Sequence, residues 1–469
     1  MLKLYGSFVE SIISKVFETQ FKILPELAEL ILDRVARGNR VVIYGAGHGH
    51  ELAEEMLDLV GGFNFIESYN PQDLFGPPLK AGYIERTEAF AEVFYSMMDL
   101  KQGDVLWLIS NSGTNGVVVE LAKRCKENGI TLIAHTNMKQ TSTVSARHSC
   151  GKKMVEFADY IIDNCGEDGD AAFETVNGKK QGPTSNGVGT FILQGLNVCF
   201  ATVLHASNCT PEDVRNGNYA RCKVIHKEAM LENLNTYYKD YMKVLKEVFA
   251  TQLENIQQAA ALSVQCVMAE GRNMMFGMVH DHTLVEEIHS RAGTIMCNRS
   301  LVSQNIDIQL YDGVKKATLY ANISEYADAL LRSVELNEKD VLFLISQSAN
   351  ENAMRRLVVL AKEKNCKLIL HTNKKYADTC SEHPLYQNVD VVIDNCCPKN
   401  QLLMKVGKFD VGYVGTSIGC FINQCYVMEM TKQLFEHGID IPARISINTD
   451  KGLIFTEELN KKYFNDTVV

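Results

Sequence analysis

The sequence lacks the long apolar runs and the basic charge that would point to a membrane or to nucleic acid. Its 469 residues contain no uninterrupted apolar run of the roughly 20 residues that span a bilayer. The nearest stretch, 189–206, is broken by Gln194, Asn197 and His205, so we expect a buried helix there. The net charge of −10 gives no general attraction to a phosphate backbone. We therefore predict neither a membrane nor a nucleic acid as partner.

The N-terminus and the cysteines also lack the marks of a secreted protein. Glu10 stands where a signal peptide would be apolar, and no small-residue cleavage site follows it. No two of the 14 cysteines stand three residues apart, and most lie in apolar or helical patterns, as Cys199 and Cys420 do. This distribution favours free, buried thiols in a reducing compartment. We predict a cytoplasmic protein.

What the sequence does contain is a duplication. Residues 16–20 (VFETQ) return as 248–252 (VFATQ), and the segment 104–112 returns as 340–348 with its order of apolar and polar residues preserved. Between them, His48 and His50 return as His280 and His282. A repeated unit of about 230 residues has the size of a whole domain. We place the boundary in the polar stretch 208–219, which gives domains 1–215 and 216–469.

Each unit alternates strands with helices. In the first unit, a long amphipathic helix over 8–37 precedes a short apolar run that is ended by glycines, which is typical of a buried strand. The remaining pattern predicts strands at 40–44, 105–109, 131–135 and 160–163, and helices at 50–59, 115–128 and 185–206. This alternation predicts an α/β fold: two tandem doubly wound parallel sheets of the flavodoxin-like, three-layer type.

A polar loop follows the second buried strand and leads directly into a helix. Ligands of open parallel sheets sit outside the carboxyl ends of the strands, and N–H groups at a helix N-terminus attract anions. A simple helix cap needs one such polar residue rather than five in six. The loop is therefore a candidate phosphate site, and its residues are Ser110, Asn111, Ser112, Gly113, Thr114 and Asn115.

A second loop, rich in glycine and histidine, follows the first strand. Residues 45–50 read GAGHGH, whereas 277–282 read GMVHDH and keep both histidines while losing the glycines. A dinucleotide-binding turn needs a third glycine, and His50 stands in that place, so we disfavour a dinucleotide site. His48 and His50 either donate to a sugar hydroxyl and shuttle protons near neutral pH, or only cap the helix and pack.

Two further polar segments belong to the first unit. Thr184 and Ser185 offer hydroxyl groups at the start of its last helix, and His148 lies in its most basic run, 147–153. That run either supplies charge for a phosphate or forms a solvated face. A metal site is disfavoured, because His282, Glu286 and His289 share one helical face only in the second copy. We predict no metal and no cofactor.

The loops and the long leading helix resemble the sugar isomerase (SIS) domain family. The shared features lie at 44–50, 79–86, 109–115, 147–149 and 182–185. The resemblance covers essentially the whole chain as two tandem copies, and the first copy is close to an uncharacterised subfamily of single-domain bacterial proteins. It implies that a small phosphorylated sugar is the ligand and that the loop 110–115 holds its phosphate.

The resemblance also implies a choice of functions. We expect an aldose–ketose isomerase acting on a sugar phosphate, which can be an amino sugar, with Glu85 as catalytic base because its segment has low regularity. His48 and His50 are the other catalytic candidates, and we expect the sugar to be bound by Gly47, Thr184, Ser185 and His148. A phosphosugar lyase or etherase, or a phosphosugar-sensing regulator without catalysis, stays open.

The second copy departs from the first at its phosphate loop. Ala349 replaces the glycine found at Gly113, which adds a Cβ where the backbone approaches the anion, so we expect a weaker site or none. SIS domains pair, and covalent linkage favours pairing within the chain. We predict an intrachain pseudo-dimer with its leading helices packed together and with His280 or His282 reaching into the first cleft; further homo-oligomerisation is left open.

Overall fold

The structure is a computed structural model that describes most of the chain. The described residues are 1–57, 60–71, 78–171, 173–221, 226–289, 291–300 and 314–446, together with six positions between 452 and 459.

The first unit is built on a five-stranded parallel sheet. Its strand order is β2-β1-β3-β4-β5, the doubly wound arrangement that the alternating pattern predicts. The strands are β1 (Val41–Gly45), β2 (Glu67–Ser68), β3 (Val105–Ile109), β4 (Thr131–Thr136) and β5 (Tyr160–Asp163), and a small hairpin adds β6 (Phe173–Glu174) and β7 (Lys180–Gln181). The helices are α1 (Leu2–Thr19), α2 (Leu24–Ala36), α3 (Gly49–Glu54), α4 (Pro78–Arg86), α5 (Phe90–Met98), α6 (Gly116–Glu127), α7 (Met138–Thr143), α8 (Ser185–Ala206) and α9 (Pro211–Arg215).

The second unit repeats this sheet. Its order, β9-β8-β10-β11-β12, is the same topology carried by the second set of strands. The strands are β8 (Asn273–Gly277), β9 (Asn298–Ser300), β10 (Val341–Ile345), β11 (Lys367–Thr372) and β12 (Val391–Asp394), with a hairpin of β13 (Leu402–Val406) and β14 (Phe409–Tyr413). The helices are α10 (Lys227–Thr251), α11 (Leu253–Met268), α12 (His282–His289), α13 (Val314–Ala321), α14 (Glu325–Leu330), α15 (Asn352–Glu363), α16 (Lys374–Cys380) and α17 (Gly415–Glu436).

The expected α/β fold with two similar units is confirmed, but three local predictions are wrong. The helix expected over 50–59 is shorter, since α3 ends at Glu54. The leading helix is not continuous over 8–37: α1 ends at Thr19 and α2 begins at Leu24, with Pro25 in its first turn. Proline fits a helix start because its missing N–H is not needed there. Glu85 lies in α4 rather than in an irregular segment.

The two units pack against each other along their leading and last helices. On α1, Phe17 stacks on Tyr238 of α10 with ring centroids 4.1 Å apart, and Ser14 Oγ lies 2.9 Å from the Tyr238 hydroxyl. Between the last helices, a Cβ on Gly187 of α8 would stand 2.6 Å from the Phe421 ring of α17, so only glycine allows this approach. The two units of the expected pseudo-dimer therefore share one hydrophobic core cluster, and each unit has a second cluster of its own.

Helix α8 and the cysteines test two expectations drawn from the sequence. Of the described helices, one, α8, is long and apolar enough to cross a membrane, and it is completely buried inside the protein. The expected buried helix is thus confirmed. In the part of the chain that the structure describes, twelve cysteines are free thiols, as expected, but Cys209 is disulfide-bonded. The prediction of free thiols is therefore wrong at this position.

Candidate functional site

A cleft lies at the carboxyl ends of β1 and β3, where the first unit meets the second. The loop after β1, the loop after β3, the end of α4 and the start of α8 form its first-unit side. Residues 291–292 and 444–446 of the second unit close the other side. The polar residues that line this cleft are His48, Glu85, Ser110, Asn111, His135, Asn164, Asp170, Ser185, Asn186, Arg291, Arg444 and Ser446.

Glu85 is a buried carboxyl group at the edge of this cleft. Only 1% of the surface of Glu85 is exposed to solvent. The Asn115 amide donates to Glu85 Oε2 over 2.9 Å, while Oε1 has no hydrogen-bond partner among the described residues. Burial raises the pKa of Glu85 to about 7, against the opposing effect of the Asn115 hydrogen bond. The carboxyl group can therefore both take and give a proton near neutral pH.

The glycine- and histidine-rich loop shapes the space beside this carboxyl. Gly47 has a φ of 56°, and a Cβ at this position would stand 2.8 Å from Glu85 Oε1, which explains why glycine is needed. His48 lines the cleft next to it. Burial, followed by the positive charge of Arg291, lowers the pKa of His48 to about 3. His48 is therefore neutral at physiological pH, with one ring nitrogen able to donate and the other able to accept.

The first residues of the predicted phosphate loop line the cleft, and its later residues are buried behind it. Ser110 and Asn111 line the cleft, and Gly113 adopts the left-handed φ of 62° that lets the loop turn. Ser112 and Thr114 are fully buried and bonded to each other through their hydroxyl groups over 3.2 Å. Asn115 contacts Glu85 rather than the cleft, and Arg147 donates to its Oδ1 over 2.9 Å. The end of the loop therefore positions the carboxyl group.

His50 is engaged in a contact between the units instead of lining the cleft. Its Nε2 lies 3.1 Å from Glu286 Oε2 of the second unit. In the equivalent pair the second unit supplies the histidine and the first unit the glutamate, and His282 Nε2 lies 3.0 Å from Glu54 Oε2. His280 similarly lies 3.0 Å from Glu55 Oε2. Among the described residues that line the cleft, neither His280 nor His282 is found, so their observed partners are the α3 carboxylates.

The start of α8 is occupied by an internal carboxylate. Asp170 accepts hydrogen bonds from the backbone N–H groups of Thr184 and Ser185 over 3.1 and 3.0 Å, and from the Ser185 hydroxyl over 2.9 Å. Arg291 of the second unit donates to the same carboxylate over 2.8 Å. Although burial opposes it, this charge holds the pKa of Asp170 below its ordinary value. Of the two predicted residues, Ser185 lines the cleft, and Thr184 does not. Thr184 contacts Asp170 through its backbone N–H, and its buried hydroxyl group has no hydrogen-bond partner among the described residues.

His148 lies in a separate surface pocket. It is enclosed by Glu120 and Glu88, whose carboxylate oxygens stand 3.1 and 3.3 Å from its Nε2. This pocket does not include the cleft residues, and it is lined by Glu88, Ala89, Glu92, Glu120, Lys123, Arg124, His148, Ser149 and Cys150. The geometry therefore separates His148 from the other predicted substrate-binding residues.

The equivalent loop of the second unit holds a carboxylate of its own. Ser346 and Ser348 donate from their hydroxyl groups to the two oxygens of Glu351 over 2.6 and 2.7 Å. Glu351 occupies the sequence position equivalent to Asn115. Ala349 adopts a φ of 47°, close to that of Gly113, so the loop keeps its shape despite the strain of a Cβ. The donors that would meet a phosphate are thus already satisfied.

Three charged residues of the cleft were missed by the sequence analysis. Arg291 and Arg444 belong to the second unit, and no local pattern indicates that they approach the first. Asp170 could have been found, since the repeat places Gln401 at its equivalent position and a charge present in one copy alone suggests a special role. Within the described part of the chain, no group of three or more His, Cys, Asp or Glu is arranged to hold a metal ion.

Fold and cleft together define an α/β protein of two tandem domains, with a buried carboxyl group and a polar helix-opening loop at the carboxyl ends of its first sheet. The family profile described as "SIS domain" matches residues 4–137 and 236–373, more than half of the sequence. The chain therefore belongs to the SIS domain family, as the resemblance implied.

Curated relatives match about one unit of this chain. A UPF0309 protein of Halalkalibacterium halodurans is 36% identical over 195 residues, which cover 41% of this chain and 81% of the relative. A UPF0309 protein of Thermoanaerobacter pseudethanolicus is 31% identical over 225 residues, covering 46% of this chain and 91% of the relative. Such relatives correspond to a single unit, which agrees with the expected closeness to a single-domain bacterial subfamily.

Solved structures align either with nearly the whole chain or with less than half of it. The C-terminal domain of glucosamine-fructose-6-phosphate aminotransferase from Francisella tularensis is 10% identical, with a TM-score of 0.45, and the alignment covers 92% of this chain and 98% of that one. Phosphoheptose isomerase from Neisseria gonorrhoeae is 16% identical with a TM-score of 0.29, covering 42% of this chain and 96% of that one.

Proposed function

We propose that the protein binds a phosphorylated sugar in the cleft and isomerises it between aldose and ketose, with Glu85 as the base. The observation that carries this proposal is the state of Glu85: buried at the cleft, with a pKa raised to about 7 by burial and with one oxygen held by Asn115. A general base works best when its pKa lies near the working pH. Membership of the SIS family supports a phosphosugar as ligand.

The reaction requires one proton to move between adjacent carbons. Glu85 would remove the proton from the carbon next to the carbonyl, and the electron pair of that C–H bond would form the double bond of an enediol. Glu85 would then return the proton to the neighbouring carbon while the second oxygen becomes the carbonyl. His48, neutral at physiological pH, would move the other proton between the two oxygens, since one of its nitrogens donates and the other accepts.

The phosphate group would anchor the sugar at the loop after β3. Ser110 and Asn111 line the cleft there, in the loop that leads into α6. The N-terminal end of a helix attracts anions, and a doubly charged group gains most. We expect a neutral sugar to bind poorly compared with its phosphate ester. Equal affinity in calorimetric titration would argue against this anchor.

A phosphosugar panel followed by NMR in deuterated water tests the reaction. Isomerisation produces the partner sugar and exchanges the transferred hydrogen, whereas a lyase or etherase produces an eliminated product from the same proton removal. We expect Glu85→Gln to lower kcat by roughly a hundredfold or more while leaving phosphosugar affinity nearly unchanged. Glu88→Gln is the matched control, because Glu88 lies in the separate His148 pocket.

Two outcomes would contradict the proposal. Binding of phosphosugars without turnover of any of them would favour a sensor, and full activity of Glu85→Gln would remove the assigned base. A product formed by elimination alone would assign the cleft to a lyase.

A further inference from the structure

His135 is a buried histidine near the carboxyl end of β4. It pairs in register with Ile109 of β3, and both residues line the cleft. The histidine is 1% exposed, and neither Nδ1 nor Nε2 has a hydrogen-bond partner among the described residues. A buried polar group without a partner costs free energy, so such groups are rare in folded proteins. Two unpartnered ring nitrogens beside a cleft therefore point to a ligand.

The equivalent histidine of the second unit, His371, has a partner that His135 lacks. Its Nδ1 lies 3.0 Å from Oδ1 of Asn423 on α17. The asparagine is held in turn, because its Nδ2 donates to the Leu284 carbonyl over 2.8 Å. In the first unit, Leu193 holds the same position in α8 that Asn423 holds in α17, since both helices have 22 residues. The first unit thus keeps the histidine and has an apolar residue in place of its partner.

The ionisation state of the ring decides which ligand group suits it. Burial lowers the pKa of His135 to about 4, so the imidazole is neutral at physiological pH. A neutral imidazole has one N–H donor and one acceptor nitrogen. A hydroxyl group both donates and accepts, so it matches either nitrogen, whereas a phosphate dianion only accepts and an ammonium group only donates. A hydroxyl group of the ligand is therefore the best match for His135.

From this juxtaposition we infer that His135 binds a hydroxyl group of the sugar and thereby determines which sugar phosphates the cleft accepts. The inference rests on the proposed phosphosugar site, because it assigns the phosphate to Ser110 and Asn111. The phosphate loop and the histidine are adjacent, since the backbone N–H of Ser110 donates to the His135 carbonyl over 3.0 Å. The ligand is then a sugar phosphate with a free hydroxyl group at the carbon that faces His135, and a compound with hydrogen there loses the contact.

Calorimetric titration of the full chain with glucitol 6-phosphate and its singly deoxygenated derivatives tests the inference. We expect one derivative to bind roughly three to ten times more weakly than glucitol 6-phosphate, the worth of one hydrogen bond. His135→Leu should bind glucitol 6-phosphate more weakly by the same factor and should no longer distinguish it from that derivative. Leu193→Asn keeps the histidine but gives it the partner that His371 has, and it should have the same effect.

Thermal unfolding separates a binding role from a structural one. His135→Leu removes a buried polar side chain that has no partner among the described residues, so its melting temperature should be unchanged or higher. His371→Leu is the matched control in the second unit. It leaves the Asn423 oxygen without its partner, so it should lower the melting temperature while the affinity for glucitol 6-phosphate stays the same.

The possible outcomes distinguish this inference from the proposed function. Unchanged affinity of both His135→Leu and Leu193→Asn for glucitol 6-phosphate would overturn the contact. Equally weaker binding of all the compounds in these variants would overturn it too, because the variants would still distinguish the hydroxyl group. Failure of glucitol 6-phosphate to bind, or binding that ignores Ser110→Ala, would instead overturn the phosphate site and the His135 contact with it.

Discussion

At the scale of single residues, Asn115 is the neighbour that affects the ionisation of Glu85 most strongly. Burial raises its pKa, and the hydrogen bond from the Asn115 amide works in the opposite direction by stabilising the carboxylate. Asn115 is itself held by Arg147. The residue that ends the phosphate loop thus lowers the pH at which the proposed base becomes ionised.

We expect Asn115→Ala to move the pH profile of turnover. Without the amide donor the pKa of Glu85 rises further, so the ionised base appears only at higher pH. The acid limb of kcat/KM should move up by about 0.5 to 1 pH unit, the worth of one hydrogen bond. Asn128→Ala, an exposed asparagine at the end of α6, is the control. An unchanged midpoint would show that Asn115 does not act through Glu85.

Some residues of the cleft could be predicted from the sequence, and others could not. Gly47, His48, Ser110 and Asn111 follow buried strands, and the carboxyl ends of parallel strands gather at one edge, so their presence at the cleft could be foreseen. The position of Arg444 at the cleft could not be foreseen. It lies more than 300 residues further along the chain than Ser110 and Asn111, and only the packing of the two units brings them together.

At the scale of elements, the loops after β3 and β10 share their backbone hydrogen bonds and their supporting asparagine, but they differ in the partners of their serine hydroxyl groups. The backbone N–H of Gly113 donates to Ser110 Oγ over 3.2 Å, as that of Ala349 does to Ser346 Oγ over 2.8 Å. Asn164 and Asn395 support the two loops in the same way. The difference lies in Glu351, whose carboxylate takes both serine hydroxyls of the second loop.

Phosphosugar binding should therefore depend on one loop only. We expect Ser110→Ala with Ser112→Ala to abolish binding, measured by calorimetric titration. The matched pair, Ser346→Ala with Ser348→Ala, should change the affinity less than about threefold, because the hydroxyls it removes face Glu351. Such a small change corresponds to under 1 kcal/mol. Equal losses for the two double variants would contradict the asymmetry.

The elements themselves were foreseen where burial determines them. Runs such as 105–109 are apolar on both faces, which is typical of a central parallel strand, and the structure has β3 there. The break between α1 and α2 was not foreseen, since Pro25 and the residues before it continue the apolar spacing. Periodicity measures which face is buried and does not detect a change of helix direction.

At the scale of the whole molecule, the units are joined by exchanged pairs of buried histidine and glutamate. Burial alone would lower the pKa of His282, but Glu54 and then Glu286 outweigh it and raise the pKa to about 10. In the same way, Glu286 and Glu54 overcome burial and raise the pKa of His50 to about 9. Both histidines are therefore charged at neutral pH.

These pairs predict a loss of stability on the alkaline side. A histidine whose pKa is raised on folding stabilises fully below its unfolded value of about 6.5, and this contribution is lost as pH rises through about 9 to 10. Urea unfolding of His282→Gln should show a cost of roughly 3 to 5 kcal/mol at pH 7 that shrinks towards pH 10. The double variant His282→Gln with Glu54→Gln should cost less. A cost independent of pH would contradict the pairing.

Glu351 has a consequence for how this protein can change over generations. In a dimer of identical chains, one altered codon changes both sites at once, so a substitution that closes a site closes every site. Here the codon for Glu351 affects one unit, and the codon for Asn115 affects the other. Duplication within one reading frame therefore releases the second copy from the demands placed on the first. Its segments can be selected for what they add to a neighbour's cleft, as Arg291 and Arg444 illustrate.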